Sequence, residues 1–170
     1  MVRALLVRID DRLIHGQVVI KWLRHLGCKE ILVVDDDLSR DSFMQDVLRM
    51  ATPVDVRVRV APLQDAAREL EALSGGHRGV MVLLKTPQAA LALLDHGIPF
   101  EELNLGGLAG GLGTTRLYKS VSATPEQLAA LMDIRERGVR VYVQLVPEER
   151  QLDIMDVVPA SFRHRQTKPS

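Results

Sequence analysis

Read for hydrophobicity alone, the chain alternates between two periods. Residues 2–9 form an apolar, β-branched run that fits a buried strand and ends in the polar turn Asp10-Asp11-Arg12. After Gly16, Val18, Val19, Trp22, Leu23 and Leu26 recur at helical spacing, with Lys21, Arg24 and His25 mostly on the other side, and Gly27 offers a C-terminal stop. This predicts a helix with Trp22 in the core. Residues 31–34 read as a second buried strand, followed by Asp35, Asp36 and Asp37 and an amphipathic stretch carrying Phe43, Met44, Val47, Leu48 and Ala51. In residues 54–60, Val54, Val56, Val58 and Val60 alternate with Asp55, Arg57 and Arg59, which predicts a strand with one wet face near a sheet edge.

A helix over residues 63–73 then ends at Gly75 and Gly76, and residues 80–84 make a short, wholly apolar fourth strand. Thr86 is placed as N-cap and Pro87 at the first helical position of a helix with Ala89, Leu91, Leu93 and Leu94, stopping near Gly97. Residues 103–105 form a brief strand opening into the glycine-rich stretch 106–113, and residues 117–121 read as another short strand. Thr124-Pro125-Glu126-Gln127 is a capping box with proline at the first helical position; Gly138 stops that helix, and residues 139–146 supply a last strand.

Strands separated by helical patterns of about ten residues or more imply βαβ units. The expectation is an α/β fold: a doubly wound, mainly parallel sheet of about six to seven strands with helices on both faces. At 170 residues and 46% hydrophobic content, the chain fits one domain over residues 1–160 with a polar tail at 161–170. Twenty-two basic residues balance 22 acidic ones, so no overall field would draw nucleic acid or an anionic bilayer. The N-terminal apolar stretch is broken by charge too soon for a signal segment or a membrane span, which predicts a cytosolic protein. Cys28, the only cysteine, excludes an internal disulfide and a cysteine-based zinc site, and reads as a small apolar filler near a helix end.

Ligands of open α/β sheets bind beyond the carboxyl ends of the strands, and the loop there with the richest chemistry is 10–15. His15 stands just before Gly16 at a helix start, where free N–H groups favour an anion and an unprotonated imidazole can act as nucleophile. Asp10 or Asp11 could hold one ring nitrogen as N–H, and Arg12 could pair its planar donors with phosphoryl oxygens. The same residues also fit two turn aspartates, a solvated arginine and a histidine packed at a helix start, and spacing leaves both readings open. Gly16, Lys85, Thr86 and Asn104 are candidates to line the phosphate site, against an N-cap for Thr86, solvation for Lys85 and a turn role for Asn104. Asp35, Asp36 and Asp37 could bind a hard cation, but a helix cap fits better. His25, His77, His96 and His164 share no metal-binding spacing with His15 and read as surface residues, so no metal site is expected. A two-component receiver is disfavoured because the third strand ends in Val60-Ala61-Pro62, with no aspartate to accept phosphate.

The string Arg8-Ile-Asp-Asp-Arg-Leu-Ile-His-Gly-Gln-Val18 resembles the active-site signature of the IIB components of the mannose/fructose/sorbose family of the bacterial phosphoenolpyruvate:sugar phosphotransferase system (PTS). The resemblance extends to Trp22, Ile31-Leu-Val-Val-Asp35, Leu84-Lys-Thr-Pro87, Leu103-Asn-Leu-Gly-Gly107 and Ser120-Val-Ser122, nearly the whole chain. It implies a phosphohistidine carrier of this same fold, which takes a phosphoryl group from a IIA histidine on His15 and passes it to a sugar held by membrane IIC and IID components. It further implies a place at the inner face of the membrane through IIC and IID, and no cofactor. The sugar and any homo-oligomer stay open. An alternative is a regulatory protein that keeps the fold and the histidine but reports phosphorylation state. The clearest departure is Leu108-Ala-Gly-Gly-Leu-Gly113, which is smaller and less charged than the family's usual loop and bears on partner contacts.

Overall fold

Strands with buried side chains on both faces set the architecture. The computed structural model describes residues 4–73 and 79–163. Its elements run β1 (Ala4–Asp10), α1 (Gly16–Leu26), β2 (Glu30–Val34), α2 (Ser42–Met50), β3 (Arg57–Ala61), α3 (Ala66–Leu73), β4 (Val80–Leu84), α4 (Pro87–Asp95), β5 (Glu102–Gly107), β6 (Thr115–Tyr118), β7 (Val121–Ala123), α5 (Pro125–Glu136), β8 (Arg140–Val143), β9 (Leu152–Asp153), α6 (Ile154–Val157) and α7 (Ala160–Arg163). Seven strands form one sheet in the order β3-β2-β4-β1-β5-β8-β9, parallel except for the antiparallel pair β8–β9. β6 and β7 make a separate antiparallel hairpin.

Strand side chains alternate between faces, and two cores follow from that alternation. Leu6, Ile31, Val33, Met81 and Leu83 pack with Val19, Trp22 and Leu23 of α1 and Leu48 of α2. Val7, Ile9, Leu32, Val82, Leu103 and Leu105 pack on the other face with residues of α3, α4 and α5. The fold is therefore the expected doubly wound one, with β1 at its centre. Thr86 accepts from Ala89 N at 3.2 Å, and Thr124 and Gln127 complete a reciprocal capping box, each cap contributing about 1 kcal/mol. Among the described residues, no helix is long and apolar enough to cross a membrane.

Several boundaries differ from the sequence reading. The edge strand begins at Arg57 rather than Val54: Val56 N bonds Pro53 O in a turn, and pairing starts only where Arg57 meets Glu30 at the head of β2, leaving Val54 fully exposed. The first turn of the expected 63–73 helix, Leu63–Asp65, is a 3-10 turn. Residues 117–121 are not one strand: Leu117 and Tyr118 end β6, Val121 begins β7, and between them Lys119 and Ser120 make the hairpin turn, Lys119 with φ of 38°. β8 stops at Val143, because the next two carbonyls are engaged by side chains rather than by a neighbouring strand. At the C-terminus, α7 extends order into the expected tail, with Phe162 packed against the core. Cys28 is buried as expected, its thiol donating to Glu30 O and Gly79 O. The start of the first strand at Val2 and Arg3, the helix stop at Gly75 and Gly76, His77, His164 and the tail beyond Arg163 lie outside the described residues.

Candidate active site

β1 carries Leu6, Arg8 and Asp10 on the α1 face, and β5 sets Asn104 beside Arg8 in register. Arg8 is 1% exposed, so its guanidinium must find acceptors inside the protein. It donates through Nη1 to Asn104 Oδ1 and Gln144 O, and through Nη2 to Leu145 O and Asp10 Oδ2. Its ζ carbon sits 5.3 Å from the centre of the Trp22 ring, within cation–π range. Trp22 Nε1 donates to Leu145 O at 3.1 Å, so the same loop carbonyl serves both. Burial pulls Arg8 down to about 10, with Asp10 opposing, and it stays charged at neutral pH. The room comes from Gly106, where a Cβ would fall on the Arg8 guanidinium. Gly106 is also the extra residue of a bulge, since Ile9 pairs with Leu105 and Asp10 with Gly107.

Asp10 is wholly buried and is the hub of the site. Its Oδ1 accepts from Arg12 Nε at 3.0 Å and from Arg12 N at 3.2 Å; its Oδ2 takes Arg8 Nη2 and Arg12 Nη2, each at 3.2 Å, and lies 3.0 Å from His15 Nε2. Burial works to raise the Asp10 carboxyl, but hydrogen bonds from Arg12 and His15 and the charge of Arg8 outweigh it and hold it below the ordinary carboxylate value. Of the two aspartates considered from sequence, Asp10 orients the ring. Asp11 instead accepts from Ala109 N at 2.6 Å and ties down the glycine-rich loop.

The loop that presents His15 is fixed from below. Leu13 N bonds Asp10 O, and Leu13 and Ile14 are buried among the α1-side core residues. Leu13 takes φ of 56°, a left-handed conformation unusual for a branched side chain and held here by that packing. Gly16, at φ 48°, turns the chain into α1 where other residues would be strained. His15 is the N-cap of α1, but its side chain makes no cap bond and the first turn carries no acidic residue. The positive end of the helix is thus open to an anion beside the imidazole. With Nε2 at Asp10 as N–H, Nδ1 keeps its lone pair and, among the described residues, has no protein partner.

Other candidates fall one step away. Arg12 is half-exposed and already clamped by Asp10, with Nη1 left over. Lys85 pairs with Asp35 at 3.2 Å, and Thr86 caps α4. Asn104 is a buried strand residue, not a turn residue; its amide bonds Arg8 and Gln144 O, so its part here is to hold Arg8. Asp35 accepts from Leu38 N and Asp36 from Leu63 N, while the cap of α2 is Asp41, bonding Met44 N. His25 and His96 are exposed. Among the described residues no cluster of histidine, cysteine, aspartate or glutamate could hold a metal ion. Sequence reasoning missed Arg8 as a working residue, although a charge inside an apolar strand run, two residues before Asp10 and so on its face, is a readable signal.

Comparison with known proteins agrees with this fold. A family model described as the PTS system sorbose subfamily IIB component matches residues 4–168. The sorbose-specific EIIB component of Klebsiella pneumoniae is 31% identical over 90% of this chain and 93% of its own length. The N-acetylgalactosamine-specific phosphotransferase enzyme IIB component 2 of Escherichia coli is 30% identical over 93% of this chain and all of its own. The crystal structure of manxB from Thermoanaerobacter tengcongensis superposes with a TM-score of 0.86 at 31% identity, covering 95% of this chain and 98% of that one.

Proposed function

This chain belongs to the sorbose subfamily of IIB components of the bacterial sugar phosphotransferase system, and from that membership we propose that His15 is its phosphoryl carrier. The observation that carries the reading is the 3.0 Å contact of Asp10 Oδ2 with His15 Nε2, which assigns Nε2 the proton and leaves Nδ1 as nucleophile. A IIA phosphohistidine is the donor. Its P–N bond breaks as a new bond forms from phosphorus to His15 Nδ1, and the donor imidazole leaves with the electron pair. The His15 ring then bears positive charge with Nε2–H retained, and the Asp10 carboxylate beside it stabilises that charge. The first-turn amides of α1 and the free Nη1 of Arg12 receive the phosphoryl oxygens. In the second step a sugar hydroxyl held by the membrane IIC and IID components attacks phosphorus and gives up its proton to water, while the P–N bond breaks with its electron pair returning to Nδ1 and the ring returns to neutral. Catalysis is positioning plus charge stabilisation and calls for no cofactor. The protein works on the cytoplasmic side, docked to IIC and IID.

The test is to incubate the protein with phosphoenolpyruvate, the general phosphotransferase proteins and a mannose-type IIA, and to read intact mass. One acid-labile phosphoryl group, absent from His15→Ala, is expected. No mass gain with a donor that phosphorylates another IIB of the family would refute the carrier role.

A further inference from the structure

Beside the His15 loop lies an open cleft of about 290 Å³, lined by Asp11, Arg12, Ala109, Gly110 and, from the β6–β7 hairpin, Arg116, Lys119, Ser120 and Ser122. Three of its side chains are cationic and one is acidic. The acid, Asp11, is engaged by Ala109 N, and Lys119 is paired with Glu149 at 2.6 Å. Arg116 is exposed and, among the described residues, its side chain has no hydrogen-bond or ion-pair partner. Arg12 contributes the guanidinium nitrogen that Asp10 leaves free. Next to the cleft, at the tip of the loop whose base Asp11 holds, Leu112 is fully exposed. A small free anion would gain little from an open, hydrated cleft and nothing from that leucine. A protein surface would use both.

The geometry points to the β6–β7 hairpin and the 109–113 loop as the docking element for the phosphoryl donor: Arg116 receives an acidic side chain of the donor protein beside its phosphohistidine, Arg12 faces the phosphoryl group itself, and Leu112 inserts into an apolar recess there. This rests on the carrier reading. The donor, rather than the membrane acceptor, is favoured by charge. Arg8, Arg12, Arg116 and Lys119 against Asp10, Asp11 and Glu149 leave the empty site and cleft with one excess positive charge. The donor arrives with a phosphoryl group of about −1.5 to −2, and after transfer that charge belongs to this chain, so the attraction that brought the two together is cancelled and the spent donor is released. The loop 108–113 carries no charge of its own, which leaves this role to Arg116 of the neighbouring hairpin.

The experiment measures the rate of phosphoryl transfer from phosphorylated mannose-type IIA to the full chain, varying donor concentration and salt. Arg116→Glu should raise the half-saturating donor concentration about tenfold at low salt, leave the maximal rate near wild type and flatten the salt dependence. Leu112→Asp should raise the half-saturating concentration at all salt concentrations. Arg49→Glu, the same charge change on α2 at the far edge of the sheet, should match wild type. If wild type is phosphorylated and Arg116→Glu matches it in both concentration and salt dependence, the docking assignment is overturned while the carrier reading stands. If Arg116→Glu accepts phosphate normally but fails to pass it to sugar in IIC/IID membranes, the cleft belongs to the acceptor and the donor assignment falls. If wild type takes no phosphoryl group, the carrier reading itself has failed.

Discussion

Replacing Arg8 by methionine removes the cation on which the site is built while keeping a flexible apolar chain of similar length. Breaking a buried ion pair from one side costs about 3–5 kcal/mol in general. Here the network softens the loss. Gln144 O keeps Asn104 Nδ2, Leu145 O keeps Trp22 Nε1, and Asp10 keeps Arg12 and His15. Asn104 Oδ1 is the acceptor left without its donor, at about 1–3 kcal/mol. The remainder is the reduced compensation of a wholly buried carboxylate. The expected destabilisation is therefore near the low end, about 3 kcal/mol, or roughly 6–12 °C in Tm for a domain of this size. Urea unfolding followed by tryptophan emission measures it directly, because Trp22 is the only tryptophan and packs on the guanidinium. The double variant Arg8→Met/Asp10→Asn should lose less than the two single variants together, with a coupling of about 0.5–3 kcal/mol. A single-variant loss below about 1 kcal/mol, the range of exposed pairs, or strict additivity in the double variant would refute a coupled Arg8–Asp10 unit.

Three further outcomes follow from the same geometry. Asp10→Asn should slow phosphorylation of His15 by about 10²–10⁴, since the amide neither fixes the tautomer nor stabilises the charged ring, and single-turnover kinetics with phospho-IIA would show it. The depressed Asp10 carboxyl contributes stability that is complete above its unfolded value of about 3.9 and is lost as pH falls through the lower folded value; urea midpoints across that acid range should fall in wild type and fall less in Asp10→Asn. Gly107→Ala would place a Cβ 2.7 Å from Asp10 Oδ1 and 3.0 Å from Arg12 Nη2, so it should cost about 1–3 kcal/mol and slow transfer, both readable from thermal melts and the mass assay, whereas wild-type rates would show the approach to be relaxed at no cost.

Much of this site is legible in sequence because strand periodicity is a spatial statement. Arg8 and Asp10 share a face by being two apart, and a charge within the apolar run of 2–9 must have buried acceptors. Gly106 and Gly107 read at first as the start of a loop, yet they end β5, and a glycine inside a strand marks close approach of something large, here Arg8 and Asp10. The strand ends were less legible. Val54 keeps the strand alternation but lies before the first residue of β2 that could pair with it, and the 139–146 run continues in apolar character past the point where its carbonyls are diverted.

What periodicity cannot carry is the identity of backbone acceptors. Gln144 O and Leu145 O, which hold Arg8 and Trp22, are carbonyls of an irregular segment and would look the same under many side-chain sequences. They shape the site nonetheless. Without them the Arg8 guanidinium would have Asn104 and Asp10 alone, and a buried arginine with unmet donors would draw both carboxylate oxygens of Asp10 to itself. Because the loop satisfies Arg8 from one side, Asp10 gives it a single contact at Oδ2, an oxygen it shares with Arg12 and His15, while Oδ1 serves Arg12. The β8–β9 connection, far from His15 in sequence, thereby helps to hold the carboxylate that faces His15 Nε2.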